Sequence, residues 1–175
     1  MRRTLVISPL IAGAAAVTLA FPVPATAADT PVTVQVTSGT LDIAVPTGPV
    51  NLGTASVSGS AQTVSSQLGN VTVTDGRGGT AGWTVTANAV DFTGPQTISV
   101  SAPGSSSYDT PQASVSGTAT VTPSDLEPLY PANPVQTATA VNGINSATWN
   151  PTISLTIPGN ALAGTYSSTI THSVA

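Results

Sequence analysis

Apolar residues recur at every second position along much of the chain. Val32, Val34 and Val36 alternate with Thr33 and Gln35, and Leu41, Ile43 and Val45 with Asp42 and Ala44. The same rhythm runs through Val71–Val73, Trp83–Val85–Ala87, Ile98–Val100, Val115–Ala119–Val121 and Ile153–Leu155–Ile157. A period of two gives each segment one apolar face and one Ser/Thr face, the pattern of an antiparallel sheet covered on one side. No window sustains a helical period; short helical turns are expected at most near Pro123–Leu129 and Asn160–Ala163. Pro46–Pro49, Asp75–Gly79 and Pro158–Asn160 supply Gly, Pro, Asn and Asp for tight connections. About ten short strands, roughly 8–12 residues apart, predict an all-β fold, an antiparallel two-sheet β-sandwich. Ala102–Pro111 and Pro123–Pro134 are expected as long loops. The second is expected to be a rim or crossover loop within one domain, because only about 40 residues follow it, too few for a second sandwich.

The N-terminal segment has a different pattern. Met1-Arg2-Arg3 precedes a nearly unbroken apolar stretch, Leu5–Phe21, and then Ala25-Thr26-Ala27. A basic start, an apolar core and a small-x-small site predict a cleaved secretory signal peptide over residues 1–27. The apolar stretch is short for a membrane span and Pro9 interrupts it. Residues 28–175 then form a single domain. No cysteine follows the cleavage site to carry a lipid, and the C-terminus lacks a hydrophobic tail. The expected product is secreted and extracellular, held at the cell surface without a covalent link.

Composition narrows the functions. Charged residues make up 6% of the chain and the formal net charge is −4, against about 25% charged residues in an average soluble domain. Beyond Arg2 and Arg3, Arg77 is the sole Lys or Arg, set against seven acids. Nucleic-acid binding requires cations along phosphates, so it is excluded, as is binding to an anionic membrane. The absence of cysteine excludes a disulfide scaffold and a thiolate zinc site.

Catalysis is difficult to assemble from these residues. His172 is the only imidazole, and its parity with Tyr166, Ile170 and Val174 places it on the core-facing side of a terminal strand. No G-x-S-x-G elbow accompanies the many serines. Asp125 and Glu127 lie two apart in the Pro-rich loop, and Asp109 lies in the other long loop. Such carboxylates serve glycoside hydrolysis or calcium binding in suitable geometry; without a calcium-loop spacing they read as solvated loop charges. No catalytic residue, metal site or cofactor is assigned.

Residues 70–86 carry the most distinctive constellation. Asp75 and Arg77 sit two apart among Gly76, Gly78 and Gly79, between two alternating segments. The simplest reading is a brace from guanidinium to carboxylate or backbone; the alternative is an Arg77 contact with an anionic ligand. Trp83 shares the parity of Val85 and Ala87, as a core aromatic would. A sugar platform would need an exposed ring at Trp83, Trp149, Tyr108 or Tyr130.

Asp75-Gly76-Arg77-Gly78 followed by Gly82-Trp83-Thr84-Val85 resembles the WxL domain of Gram-positive surface proteins, with Val85 in place of Leu. Ala163-Gly164-Thr165-Tyr166 and Thr171–Val174 resemble that family's second motif, with His172 where its second Trp is expected. The resemblance implies a secreted β-rich module that attaches non-covalently to the cell wall, to its peptidoglycan. Trp149 falls before Asn150-Pro151, outside the second motif; the candidate ligand-binding residues are Asp75, Arg77, Trp83 and Trp149. A second expectation is a fimbria-like surface subunit that self-associates through sheet edges unguarded by lysine. A carboxylate-based glycan-active enzyme is a third.

Overall fold

The computed structural model describes residues 26–175. The expected leader lies outside these residues except for Thr26 and Ala27. Among the described residues the chain divides after Gln35, and Val36–Ala175 form a compact second unit. Eleven strands lie in the second unit: β1 (Leu41–Ala44), β2 (Gln62–Gln67), β3 (Val71–Asp75), β4 (Trp83–Ala89), β5 (Phe92–Thr93), β6 (Thr97–Ile98), β7 (Ser106–Asp109), β8 (Ser114–Pro123), β9 (Asn133–Trp149), β10 (Thr152–Ile157) and β11 (Ile170–Val174). All pairings are antiparallel. The all-β, sandwich-like architecture expected from the alternation is present. Among the described residues there is no helix, and so none long and apolar enough to cross a membrane.

The main sheet is organised by β9, 17 residues long. One edge of β9 carries β8 from Ser114↔Thr148 to Pro123↔Gln136. The other edge carries two strands in tandem: β3 opposite Trp149–Asn145, then β4 opposite Ala138–Asn133. β1 and β11 repeat the arrangement one rank further out, against β3 and β4 respectively. Ala175 exchanges backbone hydrogen bonds with Thr84, and Gly39 and Thr40 bond to Gly76, so β11 ends near where β1 begins. A 17-residue strand does not keep one face inward throughout. Gln136 and Ala138 are buried, then Val141, Asn145, Ala147 and Trp149. The parity changes near Ala140, whose φ is 50°, where β8 also slips register around Thr118.

β2, β10 and β7 form a second sheet, and β5 with β6 a short ribbon. Val71 and Val73 from β3, Val85 and Ala87 from β4, and Ile153 and Leu155 from β10 meet in one apolar core. The core uses small aliphatic side chains around a few aromatic rings.

Several expectations are corrected. Val32, Val34 and Val36 form no strand, and each is 88–89% exposed: alternation defines two faces but provides no ladder partner. The Asp75–Gly79 turn does not join a hairpin, because β3 and β4 each pair with β9 rather than with each other. Ala102–Pro111 is not simply a loop, since it contains β7 and buries Tyr108 completely. The Pro-rich segment buries Leu126 and Leu129. It belongs to the same domain, as expected, but it fills the core as well as forming the rim. No helical turn forms at Pro123–Leu129 or Asn160–Ala163.

Candidate functional site

The Asp75–Arg77 constellation bridges the ends of two tandem strands. Arg77 Nε donates to Asp75 Oδ1 at 2.9 Å, Nη2 to Oδ2 at 3.0 Å, and Nη2 also to the Gly82 carbonyl at 3.0 Å. The Arg77 backbone N–H reaches Asp75 Oδ1 at 3.0 Å. The guanidinium therefore holds the last residue of β3 against the residue before β4. Gly78 and Gly79 adopt φ of 71° and 80°, where a Cβ carries strain. A Cβ on Gly82 would collide with the Ala138 carbonyl oxygen. The Arg77 side-chain hydrogen bond holds the Asp75 carboxyl below its ordinary range, outweighing burial. In return Asp75 raises the guanidinium further.

Trp83 and Trp149 face the core at 2% and 3% exposure. Trp83 Nε1 donates to Asn145 Oδ1 at 3.0 Å, and Asn145 stands opposite Asp75 in the ladder. Trp149 Nε1 donates to the Tyr108 hydroxyl at 3.1 Å, and that hydroxyl lies 3.0 Å from His172 Nε2. The Tyr108 hydroxyl thus accepts from Trp149 and bonds His172 Nε2, the donor in that second contact being set by the His172 tautomer. Burial favours the neutral form of both groups: it raises the Tyr108 hydroxyl and lowers His172 to about 4. Neither indole presents a face to a sugar ring, and Tyr108 is wholly buried. Among the ring platforms considered, Tyr130 is exposed. Asp75, Arg77 and Trp83 come together, while Trp149 belongs to the separate Tyr108–His172 network.

The carboxylates are dispersed into local roles. Asp125 accepts from the Thr110 N–H at 2.7 Å, and Asp91 from the Val100 N–H at 2.9 Å. Among the described residues no group of three or more His, Cys, Asp or Glu gathers as a metal site would require.

Opposite the core, the main sheet presents hydroxyls in register. Thr72 pairs with Thr148 and Ser114 beyond it, Thr74 with Ser146 and then Ser116, Thr84 with Thr137 and then Thr122, and Thr86 with Ser173. Thr72 and Thr148 share a hydroxyl hydrogen bond of 2.9 Å. Asp42, opposite Thr74, puts a charge at the margin. On β3, β4 and β9 each of these residues alternates with a core position, so the apolar packing that orders the sheet also orders the hydroxyls there.

Sequence reasoning missed Asn145 and the role of Tyr108. The parity that Asn145 shares with Ala147 and Trp149 is the local signal for an inward polar residue. Nothing local links Tyr108 to Trp149 or His172. Comparison with family models, with curated proteins and with solved structures finds no match.

Proposed function

We propose that the protein is a secreted, non-catalytic surface module that attaches non-covalently to cell-wall polysaccharide through the hydroxyl face of its main sheet. The observation carrying this reading is the cross-strand register of Thr72, Thr74, Thr84, Thr86, Ser146 and Thr148. A rigid, nearly uncharged array of donors and acceptors is matched to a neutral glycan, whose hydroxyls hydrogen-bond in both senses. The WxL resemblance of Asp75–Gly78 and Gly82–Val85 points the same way. Thr171–Val174 of β11 lie opposite Val85–Asn88 of β4, so the two motifs meet at the Val85–Val174 pair. In this reading Asp75, Arg77 and Trp83 shape the sheet, and the hydroxyls touch the ligand. His172 bonds to a hydroxyl and no carboxylate, which weighs against a Ser–His–Asp arrangement.

The test is co-sedimentation of the purified chain with isolated peptidoglycan. Retention that persists as salt is raised, and that a Thr74→Glu/Thr86→Glu variant loses while keeping its melting temperature, supports the reading. A wild-type chain left in the supernatant, or equal retention of the variant, overturns it. A second reading, a self-associating surface subunit, is favoured by the near-complete exposure of Val32, Val34 and Val36.

A further inference from the structure

The sandwich is closed along its centre and open along one side. Inward side chains of the central strands are sealed, with Val71, Val73, Val85 and Ala87 all at 0% exposure. On the flanking strands the corresponding side chains are only half-buried: Leu41 and Ile43 on β1, Val64 on β2, Ile170 and Val174 on β11. Beside Val64 and Ile170 a cleft of about 1060 Å³ opens, its floor completed by Leu155 and Ile157 and its walls formed by the segments 45–58 and 161–169. None of its lining residues is an acid, a lysine or an arginine. β2 pairs with β10 alone, so its outer edge offers unpaired backbone groups along this cleft. Gln62–Gln67 carries no charge or proline to protect that edge.

The same chain contains a segment with the complementary pattern. Thr30–Val36 is uncharged, and its valines sit on one parity with Thr33 and Gln35 on the other. The valines are 88–89% exposed and the segment belongs to no ladder.

We propose that the cleft is a strand-acceptor site for a second copy of this chain. Residues Val32–Val36 of one molecule add to the outer edge of β2 in its neighbour and lay Val32, Val34 and Val36 into the cleft. The added ladder supplies partners to the free backbone groups of β2, and alternate side chains enter the apolar space. Thr33 and Gln35 then extend the outward row of Thr63, Ser65 and Gln67. Each copy offers one donor strand and one acceptor cleft, so the contact is heterologous and propagates as a chain of subunits. The proposal rests on the self-association reading and names its interface.

Light scattering over a concentration series on the chain purified from its producing cell tests it, with the N-terminus fixed by mass spectrometry. The expected result is association of the wild type and a monomeric Val32→Asp/Val34→Asp/Val36→Asp variant with an unchanged melting temperature. The cysteine-free background allows a second measurement. When singly substituted Gln35→Cys and Ser65→Cys proteins are mixed under oxidising conditions, the mixed disulfide is expected to dominate over either homodimer, since neighbouring strands lie within bridging distance. A wild type that stays monomeric overturns both this proposal and the self-association reading. Association that persists in the triple-Asp variant, or a mixture without the Gln35–Ser65 cross-link, overturns the strand-donor interface alone.

Discussion

The Trp83 indole donates to Asn145 Oδ1 at 3.0 Å, fixing the first residue of β4 to the β9 residue that stands opposite Asp75. Asp75, Arg77, Gly82, Trp83 and Asn145 thus form one bracket around the gap between β3 and β4. A sheet whose rank is broken in the middle needs such a bracket, because residues 76–82 contribute little to the ladder along β9.

Replacing Arg77 removes the bridge and leaves the Asp75 carboxylate, 1% exposed, without its counter-charge. Arg77→Ala is expected to lower the melting temperature. Arg77→Lys is expected to rescue it only in part, since an ammonium cannot reproduce the two-pronged contact and also reach Gly82. The double variant Asp75→Asn/Arg77→Ala should lose less than the two single losses combined, as a thermal-denaturation double-mutant cycle would show.

Tyr108→Phe deletes one oxygen and strands two partners, the Trp149 indole N–H and His172 Nε2. A loss of about 1–3 kcal/mol in urea denaturation is expected, the cost of leaving buried polar groups unpaired. Tryptophan fluorescence should shift while far-UV circular dichroism stays unchanged.

Acid is expected to destabilise the fold in two stages. Folding lowers His172 from its ordinary 6.5 to about 4 through burial, so the unfolded chain takes up the proton first. Stability from this group is complete above pH 6.5 and falls between about 6.5 and 4, at about 1.4 kcal/mol per pH unit at most. His172→Phe should flatten that part of the profile. Asp75 acts lower down. Its carboxyl is depressed by Arg77, so its contribution is present above the ordinary carboxylate range and is lost as pH falls below it. Chemical denaturation across a pH series, wild type against each variant, separates the two.

Gly82→Ala adds a methyl group that meets the Ala138 carbonyl oxygen, a backbone atom of the central strand. A destabilisation of about 1–3 kcal/mol is expected from displacing well-packed backbone. Gly104→Ser, with open space around its Cβ but φ of 72°, isolates backbone strain without a collision.

Alternation in the sequence was enough to place Val71–Val73, Trp83–Ala87 and Ile153–Ile157 on strands, because each has a neighbour to pair with. The same signal at Val32–Val36 produced no strand, since periodicity records which face is apolar and not whether a partner exists. The bracing role of Arg77 was legible from its isolation beside Asp75 among glycines. Its reach to Gly82 was not, because that depends on β3 and β4 lying end to end along β9. Leu126 and Leu129 were hidden by the prolines around them, whose composition reads as surface loop. The Tyr108–Trp149–His172 network joins three distant parts of the chain, and such contacts leave no short-range pattern.

The placement of β9 late in the chain sets the order in which the molecule can assemble. β3, β4 and β8 are all synthesised before the strand that joins them, so their edges toward β9 must wait for Asn133–Trp149 before the main sheet exists. Only the β1–β3 ladder and the short β5–β6 ribbon can form before it, and a sheet so dependent on distant pairings folds slowly. Until Asn133–Trp149 is made, the inner edges of β3, β4 and β8 lie open to any other strand that can pair with them.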